Sequence, residues 1–287
     1  MKGSTYSIVP GDVLFPVELN RAQPRVKRLY INSRNWPDLL ARPRVAIVGS
    51  RKISIYGRGI TQAIATQLAK QGVVIVSGLA YGVDICAQKA ALEAGGQTIA
   101  VLPGSLTNIY PSHHANLAHQ MVAQGGALIG EYPEGAVPYP SNFIARNRIV
   151  AAISHVVVIT EAALKSGTLH TAQFALEQGI DVLAVPGNVT SPTSEGTNNL
   201  IKAGAGLVTS ASEVLNALGI TPAHKTKPTS SNPNEQVILS LLASAPLTGA
   251  ELIAASGLTP QIYNQTLTML EINGQVNAVG GDIWQLA

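Results

Sequence analysis

Basic residues surround a glycine turn in the first quarter of the chain. Residues 45–72 read VAIVGSRKISIYGRGITQAIATQLAKQG, which predicts a buried strand, a break at Gly49 and then a helix. Arg51, Lys52 and Arg58 lie around this break. Glycine at such a turn leaves backbone amides accessible to an anion, and arginine binds phosphate through two parallel donors. The turn therefore predicts a phosphate site, although an ion pair between Arg51 and a carboxylate fits the same residues.

The spacing of the glycines narrows the choice of ligand. Gly49, Gly57 and Gly59 match neither G-x-G-x-x-G nor G-x-x-x-x-G-K-[ST]. Neither a dinucleotide nor a P-loop triphosphate is therefore indicated. The phosphate must belong to another kind of molecule.

Composition predicts a globular protein of the cytoplasm. The 287 residues are 46% hydrophobic and 12% charged, which is enough to build a sizeable core. No apolar run approaches about 18 residues, the length of a membrane span, and the first residues lack a signal-peptide pattern. Cys86 is the only cysteine, which excludes an intramolecular disulfide and a cysteine-based zinc site.

Charge is distributed unevenly along the chain. Residues 1–70 contain 12 Lys or Arg against three acidic residues, whereas residues 235–287 contain four acidic residues and no Lys or Arg. The basic part would attract phosphates and the acidic part would repel them. For Arg21, Arg25 and Lys27, a role as solvated surface residues fits equally well.

Strand and helix patterns alternate through residues 1–220. Short runs rich in β-branched residues end mostly in Gly or Pro, and amphipathic segments separate them. This pattern predicts an α/β domain with a doubly wound, mainly parallel sheet that helices cover on both faces. Ligands of such sheets bind at the carboxyl ends of the strands. The predicted strands are 44–49, 73–78, 98–104, 127–133, 155–162 and 182–187.

A polar, proline-containing stretch separates this domain from a smaller one. Residues 221–234 are predicted to be a linker, and residues 235–287 read as three helices followed by two short strands, the order of a winged-helix domain. The third helix, about residues 260–272, contains Glu271 and no Lys or Arg. Because duplex binding depends on phosphate neutralisation, a protein contact is favoured for this domain.

Other turns should gather with the glycine turn at one edge of the sheet. The segments 77–84, 103–111, 130–143, 161–172 and 186–199 all follow predicted strands. Cations mixed with aromatic rings suit an unpaired nucleic acid strand, because phosphates need charge and unstacked bases need a flat surface. Packing in the fold explains most single tyrosines equally well. The residues concerned are Arg146, Arg148, Lys165, Tyr81, Tyr110, Tyr132 and Tyr139.

Catalytic and metal-binding patterns are weak. Ser166 lacks a G-x-S-x-G elbow, and His113, His114 and His119 do not have the spacing of a known zinc site. Asp84 follows a predicted strand, where capping of its glycine turn is favoured over acid or base catalysis. No metal, cofactor or catalytic residue is therefore predicted.

Seven segments occur in one order between about residues 10 and 220: AIVGSR, SGLAYGVDICAQKAAL, TIAVLPGSLTNIYP, NFIARNRIVAAIS, EAALKSGTLHTAQFALEQG, VLAVPG and EGTNNLIKAGA. In order and spacing they resemble the DNA-processing protein A family (DprA, also called Smf). The resemblance implies an extended Rossmann-like domain, which many members extend with a small C-terminal winged-helix domain. It further implies a homodimer that binds and protects incoming single-stranded DNA and loads the RecA recombinase in natural transformation. It implies no enzymatic activity.

The resemblance also assigns DNA-binding residues. The G-S-R turn of the family falls on Gly49, Ser50 and Arg51, and two further motifs, R-N-R and S-G-[ST]-L, match here as well. Two departures stand out: Gln88 replaces a usual histidine, and Ser141 and Asn142 lie where many members have a basic residue. The expected DNA-binding residues are Gly49, Ser50, Arg51, Lys52, Phe143, Arg146, Asn147, Arg148, Lys165, Ser166, Gly167 and Thr168.

Two alternative functions remain from the same superfamily. Phosphoribohydrolases that resemble the plant-hormone activators called "lonely guy" use a P-G-G-x-G-T loop followed by a glutamate, whereas this chain has KSGTLHTA in that place. A sensor of small nucleotides that signals through the acidic C-terminal domain is the other alternative. Release of a free base would support the enzyme, and saturable nucleotide binding without turnover would support the sensor.

Overall fold

The computed structural model describes residues 5–220, 230, 232–243 and 245–286. The chain divides into two compact units, Met1–Thr221 and Pro222–Ala287. Of the predicted linker, residues 221–229 and 231 lie outside the described residues, and a helix already begins at Pro233.

The larger unit is built on a sheet to which the described residues contribute nine strands. The strands lie in the order β1-β2-β6-β5-β4-β3-β7-β8-β9, with β3 to β9 parallel and β1 and β2 antiparallel. Their bounds are β1 (Thr5–Ile8), β2 (Leu29–Ser33), β3 (Arg44–Gly49), β4 (Val74–Ser77), β5 (Thr98–Leu102), β6 (Ala127–Gly130), β7 (Val156–Glu161), β8 (Asp181–Ala184) and β9 (Gly206–Leu207).

Helices connect the strands and cover both faces of the sheet. Short 3₁₀ helices at Val17–Arg21 and Ser112–His114 complete the connections. The α-helices are α1 (Trp36–Ala41), α2 (Ile55–Lys70), α3 (Val83–Glu93), α4 (Ala115–Ala123), α5 (Pro140–Ala152), α6 (Leu169–Glu177), α7 (Glu195–Lys202) and α8 (Ala211–Ala217).

The central strand β3 illustrates why the sheet needs cover on both sides. All six of its residues are buried. Val45 and Ile47 pack with residues of α2, α3 and α8, whereas Ala46 and Val48 pack in a second cluster with residues of α5 and α6. The doubly wound α/β class that the sequence predicts is therefore confirmed.

Two features of the larger unit differ from the sequence prediction. The hairpin β1–β2 precedes the first predicted strand; in β2, buried positions alternate with half-buried ones, unlike the continuous burial of β3. Helix α5 begins at Pro140, inside the predicted loop 130–143. Proline suits a first helical position, where its missing N–H has no intrahelical acceptor.

The smaller unit has the predicted winged-helix order, with one additional short strand. Its three-stranded sheet has the order β10-β12-β11, and Ile238, Leu252 and Leu270 are buried in its own core. Its elements are α9 (Pro233–Leu242), β10 (Leu247–Thr248), α10 (Gly249–Ser256), α11 (Pro260–Ile272), β11 (Val276–Gly280) and β12 (Ile283–Leu286).

The strand order creates a crevice at one edge of the larger unit. After β3 the chain adds β4, β5 and β6 on one side, and later β7, β8 and β9 on the other. The connections that leave the carboxyl ends of β3 and β7 therefore diverge, and such a switch point is where doubly wound sheets bind ligands. We call the edge formed by the carboxyl ends of the parallel strands the strand-end edge.

A membrane-spanning helix is not found among the residues that the structure describes.

Candidate nucleic-acid interface

An open cavity of about 730 Å³ lies at the switch point between β3 and β7. Of the residues that the sequence predicts to bind DNA, all except Arg148 line this strand-end cavity. Its lining comprises Val48, Gly49, Ser50, Arg51, Lys52, Ala80, Asp84, Tyr110, Pro140, Phe143, Ile144, Arg146, Asn147, Ala163, Lys165, Ser166, Gly167, Thr168 and Thr171.

Three cations of the cavity are available to a ligand. Arg51, Lys52 and Lys165 are exposed, and within the described part of the chain none of them forms an ion pair. Since no carboxylate neutralises them, they leave a local excess of positive charge at the switch point. Such an excess favours an anionic ligand.

The backbone amides contribute less than the sequence suggests. Ser54 caps the N-terminus of α2 by accepting from the Gly57 amide, and the Glu161 carboxylate accepts from the Ser54 amide at 2.8 Å. The Ser54 and Gly57 amides at the start of α2 therefore already have acceptors within the protein. The amides of Arg51 and Gly167 have no acceptor among the described residues.

The loop after β7 is tied to the end of β3 across the switch point. The Thr168 hydroxyl donates to the Gly49 carbonyl at 2.8 Å. The Ser50 hydroxyl donates to the Lys52 carbonyl at 3.0 Å and accepts from the Lys52 amide. These two hydroxyls therefore shape the cavity. Gly167 faces open space, since a Cβ there would meet nothing within 4 Å.

An aromatic ring lies beside these cations. The Arg51 guanidinium lies 5.3 Å from the centroid of the Phe143 ring, and Tyr110 packs edge-on against Phe143 with the centroids 5.5 Å apart. Tyr81, which the sequence places on the same edge, instead packs against the His114 ring at 4.8 Å. Charge and a flat apolar surface therefore meet at Arg51 and Phe143.

Arg146 lines the cavity, but its guanidinium already donates hydrogen bonds to backbone carbonyls of the protein. The residue is only 4% exposed. It donates to the carbonyl of Gly78 at 2.6 Å and to the carbonyl of Val101, which lie at the ends of β4 and β5. A Cβ at Gly78 would overlap the guanidinium, so glycine is required there. Arg146 therefore docks α5 onto the ends of two strands.

A buried carboxylate balances the charge of Arg146. Asp84 is 6% exposed and accepts from the amides of Gly78 and Ala80 at 3.0 and 3.4 Å. Burial raises the pKa of Asp84, and the charge of Arg146 opposes that rise. Burial likewise lowers the pKa of Arg146 to about 10, although Asp84 acts to raise it. Asp84 thus orders its turn, as the sequence suggests, and its charge also acts on the buried Arg146 without an ion-pair contact between them.

Arg148 lies outside the strand-end cavity. It is 4% exposed and forms a two-pronged ion pair with Glu131, both N–O distances being 2.7 Å. Its Nε atom donates to the Pro24 carbonyl at 2.9 Å. Both arginines of the R-N-R motif are therefore buried and donate to acceptors of the protein, whereas Arg51, Lys52 and Lys165 are exposed.

The departures from the family pattern have structural explanations. Gln88 is fully buried and donates to the Ile99 carbonyl at 3.2 Å, so it belongs to the core. Asn142 donates to the Pro103 carbonyl at 3.1 Å, which anchors the first turn of α5 to the end of β5. Ser141 is exposed, and a basic side chain there would have added charge near the cavity.

Sequence reasoning did not select two apolar residues of the lining. Ile144 is 45% exposed and follows Phe143, and Pro140 begins α5. Recognition of a helix starting at Pro140 would have placed both near Phe143. Among the described residues, no group of three His, Cys, Asp or Glu could hold a metal ion.

Replacement of Arg146 by Met should destabilise the protein by about 3–5 kcal/mol, because the Gly78 and Val101 carbonyls would lose their charged donor and the buried Asp84 would lose the nearby positive charge. The pKa of Asp84 would then rise further. A carboxyl with a higher pKa in the folded than in the unfolded state loses stabilisation as the pH rises through its folded pKa. Urea unfolding should therefore show a steeper loss of stability for Arg146→Met than for the wild type between about pH 5 and about pH 8.

The double variant Arg146→Met/Asp84→Asn is the matched control. Without the buried carboxyl it should regain part of the lost stability and lose the extra pH dependence. A single variant whose unfolding free energy followed the wild-type pH profile would contradict this coupling of the two charges.

Comparisons with known proteins agree with this architecture. The family model of DNA recombination-mediator protein A matches residues 6–219, and that of the DprA winged helix domain matches residues 221–282. The chain is 49% identical over 175 residues to protein Smf of Escherichia coli strain K12, which covers 61% of this chain and 47% of that protein. It is 42% identical over 178 residues to DNA processing protein DprA of Streptococcus pneumoniae strain R6, covering 62% of each.

Solved structures give the same result. DNA processing protein A from Streptococcus pneumoniae has a TM-score of 0.69 at 37% identity, covering 74% of each chain. DNA processing protein A from Helicobacter pylori has a TM-score of 0.66 at 35% identity, covering 76% of this chain and 98% of that one. The second structure is described as revealing a unique mode of single-stranded DNA binding.

The match to the curated relatives covers only part of their length. This chain spans between 45% and 63% of the length of the curated relatives it matches. The family model, however, matches well over half of this chain. The chain therefore belongs to the family of DNA recombination-mediator protein A, whose members are named DprA or Smf.

Proposed function

We propose that the strand-end cavity binds single-stranded DNA, with Arg51, Lys52 and Lys165 neutralising phosphates and Phe143 stacking against a base. The observation that carries the proposal is the contact of the exposed Arg51 with the Phe143 ring, 5.3 Å from its centroid. A phosphate and its neighbouring base need such a pair of groups. Bases in a duplex are stacked on one another, so a stacking ring selects an unpaired strand.

The free backbone amides complete the site. The amides of Arg51 and Gly167 have no acceptor among the described residues, and Gly167 faces open space. A DNA backbone can therefore approach this loop closely. With three cations engaged, the logarithm of affinity should fall with the logarithm of salt at a slope of about −2, using about 0.7 per phosphate.

The other predicted site residues support this surface from behind. Arg146 and Asn147 hold the first turns of α5, and Thr168 and Ser50 hold the two loops that carry the cations. Arg148 contacts Glu131 and is assigned no phosphate. This assignment revises the expected DNA-binding set.

Family membership supports a proposal for the wider function. We propose a cytoplasmic protein that protects incoming DNA and loads RecA recombinase onto it during transformation or recombination, without enzymatic activity. Assembly of RecA filaments on a protein-coated oligonucleotide is the assay for that step. Neither function requires a metal or cofactor in the strand-end cavity.

A nucleotide sensor or a phosphoribohydrolase is the alternative function. The same cations and ring would suit a nucleoside monophosphate. Both alternatives place the ligand in the same cavity, so only the length of the bound nucleic acid and the appearance of a product separate them from the main proposal.

Arg51→Ala should weaken binding of a thymidine oligomer and reduce the magnitude of the salt slope by about 0.7, because one phosphate contact is lost. The loss should be alike for all base sequences. Fluorescence anisotropy at several salt concentrations measures both quantities. Lys70→Ala, which removes an exposed charge at the C-terminal end of α2, is the matched control and should change neither.

Four outcomes would contradict the proposal. Arg51→Ala could leave affinity and slope unchanged, or matched duplex could compete as well as the single strand. Binding of a mononucleotide in place of the oligomer would favour the sensor, and release of free base from it would favour the enzyme.

Phe143→Ala should cost about 1–3 kcal/mol of binding free energy while leaving the salt slope unchanged, because the variant loses stacking and no charge. Ile144→Ala is the control, since Ile144 lines the same cavity but has no flat ring. Equal losses for the two variants would show that apolar burial, and not stacking, holds the base.

A homodimer should form through the edge of the sheet at β9. Leu207 in β9 is 52% exposed and lines a cavity together with Val189, which is 91% exposed. Leu207→Glu should convert the dimer to a monomer in sedimentation experiments, whereas Leu176→Glu on α6 should not. A wild-type chain that sediments as a monomer would reject the dimer, and dissociation by Leu176→Glu alone would place the interface on α6.

A further inference from the structure

A second group of basic residues lies outside the strand-end cavity. Arg21, Arg25, Lys27 and Arg28 are all exposed. None of them lines the strand-end cavity. We call residues 21–28 the basic segment.

Strand register places the end of the basic segment at the strand-end edge. In the β1–β2 hairpin, Ile8 pairs with Leu29. In the next pair, Tyr30 of β2 lies opposite Gly130, the last residue of β6. Since β6 is parallel to β3, the chain leaves the sheet after β1 and re-enters it at β2 on the same edge that carries Arg51. Lys27 and Arg28, immediately before β2, are therefore on that edge.

The acidic residues around the basic segment are mostly engaged. Glu18 pairs with the buried Arg44, and Glu131 pairs with Arg148. Asp12 accepts from the Val9 amide at 2.8 Å. Glu134, in the loop after β6, is exposed and has no partner among the described residues.

Buried Arg148 fixes the basic segment to α5. Its Nε atom donates to the Pro24 carbonyl at 2.9 Å, while its two terminal nitrogens bind Glu131. Phe143 lies five positions earlier on α5, about 7.5 Å along the helix axis at about 1.5 Å per residue. The same helix therefore carries the stacking ring at one point and holds the basic segment at another.

Three side chains of the basic segment, those of Arg21, Arg25 and Lys27, are without a hydrogen bond or ion pair to a described residue, and Arg25 and Lys27 are the two nearest to β2 along the chain. Arg28 donates to the Ser7 hydroxyl at 2.9 Å. Arg25 and Lys27 form no hydrogen bond or ion pair through their side chains with any described residue. Two solvated cations without a carboxylate partner are suited to phosphate contacts.

We propose that Arg25 and Lys27 bind phosphates of the same DNA strand after it leaves the strand-end cavity. The DNA would pass over the carboxyl ends of β4, β5 and β6, past the exposed Tyr110, and on to the start of β2. Four strand spacings of about 4.8 Å separate β3 from β2, so the extension covers roughly 19 Å. The inference rests on the proposed function and adds a second phosphate-binding site to it.

The test compares thymidine oligomers of two lengths. An oligomer of about four nucleotides fills the cavity alone, and one of about 16 nucleotides also reaches the basic segment. Arg25→Ala/Lys27→Ala should reduce the magnitude of the salt slope for the long oligomer by about 1.4, at about 0.7 per phosphate. The slope for the short oligomer should not change. Because both side chains are exposed, the thermal unfolding midpoint should also be unchanged.

Lys70→Ala/Lys89→Ala is the matched control. It removes the same charge from exposed side chains of α2 and α3, and neither residue belongs to the strand-end cavity or to the basic segment. A purely general effect of net charge would lower the slope equally in both double variants. The proposed path predicts a loss for the basic segment alone.

The outcomes separate this inference from the proposed function. Equal slopes in the two double variants would overturn the inference, and so would a slope for the long oligomer that stays at the wild-type value. Binding of the short oligomer would in either case still support the strand-end cavity as a DNA site. Failure of the wild type to bind either oligomer would overturn both. A loss confined to the long oligomer and to Arg25→Ala/Lys27→Ala would support the extended path.

Discussion

The hydrogen bonds of the buried Arg146 guanidinium to the Gly78 and Val101 carbonyls are the interaction on which the strand-end surface depends. Arg146 donates hydrogen bonds to the carbonyls at the ends of β4 and β5, and Asp84 accepts hydrogen bonds from the amides of the turn after β4. Burial of these two charged groups costs free energy, and their hydrogen bonds to the backbone offset that cost. These hydrogen bonds fix the first turns of α5, where the Phe143 ring contacts the Arg51 guanidinium.

The arginines of this chain divide into two groups by their surroundings. Arg44, Arg146 and Arg148 are buried and bind carbonyls or carboxylates, so their charges hold elements together. Arg25 and Arg51 are exposed and form no ion pair with a described residue. A guanidinium can serve either purpose because its planar set of donors suits backbone carbonyls and phosphates equally well. Burial decides which purpose it serves.

The acidic smaller unit fits a separate role. Its helix α11 contains Glu271 and no cation, and its core is complete in itself. A surface of this charge would repel a DNA backbone, so the unit is suited to contact with a protein. The exposed cations of the strand-end cavity, by contrast, belong to the larger unit.

The sequence by itself determined the doubly wound sheet and most of the site. Apolar strands such as 44–49 need cover on both faces, and loops after parallel strands must meet at one edge, so Arg51, Phe143 and Lys165 could be placed together without coordinates. Only the tertiary structure decided that Arg146 and Arg148 face inward. A one-dimensional pattern gives the type of a charged residue but not its partners. Here the partners are the Gly78 and Val101 carbonyls for Arg146 and Glu131 for Arg148, all of them distant along the chain.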